Sequence, residues 1–182
     1  MILSSLSAQE NWDPKINSKL SEVLVRHKEF VSIPNLPADK QKMYENIDWV
    51  KNRYEKVGFQ LKKLESSTLP VLFAQRILDP TFKTVLFYFH LDGQAVNPKM
   101  WNQKNPFLPM LKEQKEDGDW RAIPWSSLKG EINDDWRIFG RAAADDKAPI
   151  IMFLSALELL QKQHQNPKFN IKIIFIYFPI SD

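Results

Sequence analysis

Apolar positions recur at three- and four-residue steps in three stretches of the chain, and run almost unbroken in two others. Residues 15–31 place Ile16, Leu20, Val23, Leu24 and Val31 at helical spacing. The spacing predicts an amphipathic helix that ends before Pro34, because proline disfavours helical backbone at the residue preceding it. A second helix is predicted over about 39–57, where Met43, Ile47, Val50, Tyr54 and Val57 share a stripe. Asp39 can cap its first turn and Gly58 can close its last. Strands are predicted at 59–64, 71–77 and 84–92. The third is apolar at nearly every position, the pattern of a strand covered on both faces.

Residues 93–140 show no clear period and hold Trp101, Trp120, Trp125 and Trp136. They read as a long irregular segment, functional or a lid, with most of the tryptophans pinning it to the body. From Asp146 or Lys147 to about His164 the helical period returns through Ile150, Ile151, Phe153, Leu154, Leu157 and Leu160, with Pro149 acceptable in the first turn. A second continuously apolar strand follows at 171–178. Strand, helix and strand joined by short returns form a βαβ unit, which implies parallel pairing of 84–92 with 171–178. The fold class expected is α/β: a mostly parallel sheet with helices on both faces.

Composition narrows the function classes. At 182 residues, 43% hydrophobic and 26% charged, the chain is ordinary for one globular domain. Its formal charge of +3 comes from scattered lysines, which gives no electrostatic footprint for nucleic acid. Five glycines and no glycine-rich phosphate motif argue against a nucleotide cradle. No apolar run has the length of a membrane span, so no membrane partner is expected. Cysteine is absent, so a bound metal would need imidazole and carboxylate ligands. The small apolar start, Met1 to Gln9, reads as a frayed terminus; the compartment is cytoplasmic by default, or an export route if a signal peptide precedes Met1.

The residues that carry chemistry are few. His90 ends an apolar strand and Asp92 lies two positions on, so both side chains point the same way at a strand's carboxyl end. Open α/β sheets place their sites there. A base–orienter pair serving a nucleophile would use the same two residues, but no Gly-x-Ser-x-Gly elbow accompanies them. Asp145 and Asp146 open the last helix, where acidic residues also act simply as caps and dipole partners. His27 and His164 sit in polar helical surroundings and read as solvent-facing.

Taken together, the strings His90-Leu91-Asp92-Gly93-Gln94, Trp101, Asn105-Pro106-Phe107 and Gly140-Arg141-(x)3-Asp145-Asp146-Lys147, after a leading Ser32-Ile33-Pro34-Asn35, closely resemble the dinuclear zinc metallopeptidase family. That family includes carnosinase-type dipeptidases, glutamate carboxypeptidases, aminoacylases and succinyl-diaminopimelate desuccinylases. The resemblance implies His90 as ligand to one zinc, Asp145 as the carboxylate bridging two, and Asp92 as the catalytic-site carboxylate that orients His90. Asp146 and Lys147 belong to the motif without ligating. It further implies hydrolysis of dipeptides or N-acyl amino acids by a zinc-activated water, and allows a homodimer in the full-length form. Ala142 and Ala148 stand where the family commonly has glycine. The two adjacent glutamates that follow the second strand in the family, one of them its general base, have no counterpart here, since no Glu lies beyond Glu158. Residues 1–182 are thus expected to be the amino-terminal part of a catalytic domain without lid or dimerisation domain, and to be truncated and inactive as they stand. The competing expectation is a non-catalytic remnant or interaction module that uses no metal.

Overall fold

A computed structural model describes residues 13–66 and 69–177; the amino-terminal nonapeptide and the end of the 171–178 strand lie outside the described residues. Helix α1 spans Asp13–Val31 and α2 spans Lys40–Lys56. Asp39 caps α2 by accepting from the Lys42 N–H at 3.1 Å. Gly58 then turns the chain at φ +85°, a left-handed conformation that costs other residues about 1–2 kcal/mol. Strands β1 (Gln60–Leu64), β2 (Val71–Arg76) and β3 (Thr84–His90) follow in order. After β4 (Met110–Gln114), β5 (Trp120–Ala122) and β6 (Arg137–Phe139), helix α3 (Lys147–Lys162) leads into β7 (Asn170–Ile176).

The main sheet has the order β1-β2-β7-β3. Strands β3 and β7 pair in parallel, from Thr84 opposite Asn170 to His90 opposite Ile176, so the βαβ unit forms as its pattern requires. The α/β class holds, but two finer expectations are corrected. The β1–β2 and β2–β7 ladders are antiparallel, so the sheet is not mostly parallel; the short links from β1 to β2 leave no room for a crossover helix. Nor, among the described residues, do helices flank both faces. Phe30 of α1, Met43, Ile47, Val50 and Tyr54 of α2, and Ile150, Ile151, Leu154 and Leu157 of α3 join one core with Leu72, Ala74, Phe89, Ile171, Ile173 and Phe175. These strand residues all share one face. On the other, Leu64, Leu86 and Tyr88 are exposed. The continuous apolar character of β3 therefore does not mean burial on both sides: it is an edge strand, and Leu86 is 59% exposed.

Within the core, Tyr54 makes edge contacts with Phe59 and Phe175 at 5.5 and 5.3 Å. Its hydroxyl donates to the Ile150 carbonyl at 3.0 Å, so α2 is tied to α3 through a satisfied polar group. Arg26 of α1 donates twice to Glu158 of α3, at 2.7 and 2.6 Å. The expected irregular segment at 93–140 instead contains a three-stranded sheet of order β5-β4-β6. Its strands are too short for a period to show in sequence. Of its tryptophans, Trp125 ties the segment to the body, lying under Lys28 of α1 at 4.8 Å, whereas Trp120 meets Phe139 at 5.0 Å within the segment itself.

Candidate metal centre

Parallel pairing of β3 with β7 brings the start of α3 back beside the carboxyl end of β3. Residues 55 positions apart thereby meet: His90 Nε2 lies 2.9 Å from Asp145 Oδ1. The His90 main-chain N–H donates to Asp146 Oδ2 at 3.1 Å, which fixes strand end to helix start. The Asp145–Asp146 peptide bond is cis. Asp92 also reaches the site, chiefly through its main chain. His90 Nδ1 is 3.0 Å from the Asp92 main-chain carbonyl, while the Asp92 carboxylate stands 3.6 Å from the same nitrogen. The ladder's last bond is Leu91 N–H to the Ile176 carbonyl; beyond it the chain turns, and the carbonyl rather than the carboxylate swings onto the ring.

Both ring nitrogens therefore face oxygen acceptors. Partial burial pulls the His90 pKa down, but the Asp145 hydrogen bond, the Asp146 charge and the Asp92 carbonyl and charge outweigh it, and the net direction is up. Asp146 moves up as well, chiefly through burial, against the opposing pull of the His90 N–H and ring. A ring held between acceptors wants a cation at Nε2. A proton supplies one, and a divalent metal shared with Asp145 would supply another. Zinc bonds of about 2.0–2.2 Å to nitrogen and carboxylate oxygen span donors only slightly further apart than this pair. The Asp145 side chain is 82% exposed and keeps an oxygen turned to solvent, so the donor chemistry suits a bridging carboxylate. Among the described residues, no group of three or more His, Cys, Asp or Glu side chains gathers into a metal cage. His90, Asp92, Gln94, Arg141 and Asp145 line an open cleft of about 380 Å³.

Three residues under the cleft have structural roles that sequence reasoning did not assign. Lys147 is 1% exposed, and its ammonium donates to the Phe30 and Ile33 carbonyls at 2.7 and 2.6 Å; burial drives its pKa well down. Asn35, also 1% exposed, donates from Nδ2 to the Leu91 carbonyl at 2.8 Å and accepts the Gly93 N–H on its own carbonyl at 2.8 Å. His27 corrects an expectation: it is 8% exposed, not solvent-facing. Burial lowers its pKa; the Ala143 main chain, which it bonds, opposes that, and nearby Lys147 adds to it. The spacing carried this signal: His27 follows Val23 by four and Leu24 by three and precedes Val31 by four, so it falls on the apolar stripe of α1. Ala142 sits at φ +60°, which accounts for the family's preference for glycine at this point.

With this geometry in place, the model of Peptidase family M20/M25/M40 matches residues 86–177, the stretch from the middle of β3 through β7. The chain belongs to that family. Among curated members, Cys-Gly metallodipeptidase dug1 of Schizosaccharomyces pombe is 30% identical over 79% of this chain and 28% of its own length. The Beta-Ala-His dipeptidase of Mus musculus is 25% identical over 79% of the chain and 27% of its own length. The chain thus spans little more than a quarter of these relatives. In fold, it superposes on human carnosine dipeptidase 1 with a TM-score of 0.67 at 22% identity, covering 89% of this chain and 33% of that one. A metallo-carboxypeptidase of the family from Sulfolobus solfataricus gives 0.63 at 24% identity, with 85% and 30% covered. Family members are metal-dependent peptidases, generally with zinc.

Proposed function

We propose that this chain supplies part of a zinc centre for hydrolysing the amide bond of dipeptides or N-acyl amino acids. The observation that carries the reading is the 2.9 Å approach of His90 Nε2 to Asp145 Oδ1 at the mouth of an open cleft. His90 and Asp145 would hold the metal, Asp145 bridging two ions, with Asp92 beside His90. Bound zinc supplies an acidified water and a Lewis acid for the amide carbonyl. This chain's own contribution is positional. The Asp92 carbonyl, 3.0 Å from Nδ1, keeps the proton on that nitrogen and leaves Nε2 as the donor. The Asp146 carboxylate holds the His90 main chain, so the ring cannot back away from Asp145. Arg141 donates to the Ala95 carbonyl at 3.2 Å and stacks 5.4 Å from Trp101, which steadies the segment beyond Gly93 at the cleft.

No Glu lies beyond Glu158 to match the general base that the family resemblance implies. Residues 1–182 alone should therefore bind zinc yet turn over peptide slowly or not at all. A second reading, a module that works without metal, draws on the lack of a third ligand among the described residues. Metal analysis of the purified protein, with His90→Ala and Asp145→Ala beside it, separates the two. The metal reading expects zinc in the parent and its loss in both variants. If the variants match the parent in zinc content and thermal stability, that reading fails. Zinc-dependent dipeptide hydrolysis by 1–182 that Asp145→Ala abolishes would overturn the expected inactivity.

A further inference from the structure

The two halves of the site, the end of β3 and the start of α3, meet through His90 with Asp145 and Asp146, and behind them Phe87 and Phe89 meet Phe153. Both are also tied to a third element that contributes no ligand. The turn at residues 30–35, where α1 gives way to the loop before α2, offers two carbonyls to Lys147, whose ammonium lies over the Phe30 ring at 4.5 Å. Lys147 is two positions from Asp145 in sequence. Five residues along the same turn, Asn35 bonds Leu91 and Gly93 on either side of Asp92. The turn is itself held: Asn46 of α2, wholly buried, donates to the Pro34 carbonyl at 2.8 Å. Gly93 leaves space for this contact, since a Cβ there would come within 2.7 Å of Asn35 Oδ1.

We infer that the turn at residues 30–35 is the frame that sets the separation of His90 and Asp145, with Asn35 and Lys147 as positioning residues acting through the two ligand-bearing ends. The inference rests on the metal reading for its purpose, though not for its geometry. Its physical basis is redundancy of restraint. A side-chain contact that ends on Asp145, 82% exposed, is soft, whereas the hydrogen bonds given by Asn35, Asn46 and Lys147, themselves at 0–1% exposure, are shielded from competing water. If the frame loosens, the tips drift while each element remains folded. Supporting residues behind metal ligands commonly alter affinity about 10–100-fold without touching the ion.

The test is zinc affinity by chelator competition in the purified protein, with thermal unfolding and the His90 imidazole 15N shifts of the metal-free form measured beside it. Asn35→Ala removes the Leu91 bond alone and should weaken zinc about tenfold and move the His90 Nε2 shift, with cooperative unfolding kept. Gly93→Ala preserves every hydrogen-bonding group but drives a methyl against Asn35, and should do the same. Because the clash requires the Asn35 side chain, Gly93→Ala should add nothing in an Asn35→Ala background. A folded Asn35→Ala protein with parental zinc affinity and parental His90 shifts overturns the proposal, as do losses that simply add in the double variant. Should Asn35→Ala not fold, Gly93→Ala decides: lowered affinity in a folded protein supports the frame, and unchanged affinity refutes it. If the parent binds no zinc, the proposed function falls, and the His90 shifts alone decide the frame.

Discussion

One face of the four-stranded sheet is covered by three helices and the other is bare, yet the two faces have similar compositions. Along β3 the covered face receives Val85, Phe87 and Phe89, and the open face Leu86, Tyr88 and His90. On β7 the covered face takes Ile171, Ile173 and Phe175, all at 0% exposure. Its open-face neighbours Lys172, Ile174 and Ile176 are half-buried. The difference teaches that apolar character alone does not say what is packed. Ring contacts do: Phe175 meets Tyr54 at 5.3 Å and Phe89 at 5.7 Å, whereas Tyr88 is 52% exposed with no ring beside it among the described residues.

The comparison is broken most directly by removing one side chain from each face. Phe175→Ala should cost about 3–5 kcal/mol, the transfer of a large ring plus the cavity it leaves. Leu86→Ser should fall within about 0.5 kcal/mol, as expected for a surface position. Denaturant unfolding of both variants measures the contrast. A comparable loss from Leu86→Ser would show that the open face is covered in solution, and sedimentation of that variant against the parent would reveal whether a second copy covers it.

The same contrast explains what was legible in the sequence. The three helices were readable because their stripes, such as Met43, Ile47, Val50 and Tyr54, pack against one continuous core. The parallel partnership of β3 and β7 followed from the helix between them. The face of β3 that stays bare was not readable, because burial depends on what lies opposite and not on the strand. His90 and Asp145, which the fold brings within 2.9 Å, could be singled out because an imidazole at a strand end and a carboxylate at a helix start stand out by residue type. The role of Asn35 was not legible, since its partner Leu91 is reached through a main-chain atom, which leaves no trace in side-chain type; the burial of His27 was legible in its spacing from Val23, Leu24 and Val31. The small sheet of β4, β5 and β6 escaped for another reason: strands of three to five residues carry too few alternations to show a period.

A smaller effect lies beside the cleft, where burial coexists with local strain. Ala142 is 6% exposed and held at φ +60°, with its carbonyl accepting from the Lys147 N–H at 3.3 Å. Relief of the left-handed penalty exceeds the extra chain entropy glycine brings to the unfolded state, so Ala142→Gly should stabilise by about 1 kcal/mol or less. A rise in the unfolding midpoint without change in denaturant slope is the expected result. A loss of stability would show that the methyl's packing outweighs its backbone cost.

The smallest effect is also the one whose sign depends on the face. In the metal-free protein, His27 lies on the covered side and burial holds its pKa below the ordinary histidine value. His90 lies at the open side's end, where Asp145, Asp146 and Asp92 overcome burial and hold its pKa above that value. For His27, the unfolded chain binds the proton more readily, so its contribution is complete above about pH 6.5 and is lost as pH falls through the lowered folded value. For His90 the folded chain binds it more readily, so its contribution is complete below about pH 6.5 and is lost as pH rises through the raised value. Unfolding measured over about pH 5 to 8 should thus weaken toward both ends. His27→Gln should flatten the acid limb, and His90→Gln the alkaline one. Saturating zinc should reverse the alkaline limb alone, because ligation requires Nε2 without its proton and gains as protons leave. An alkaline limb that survives in His90→Gln would assign it to another group, and the two faces would then not differ in their response to pH.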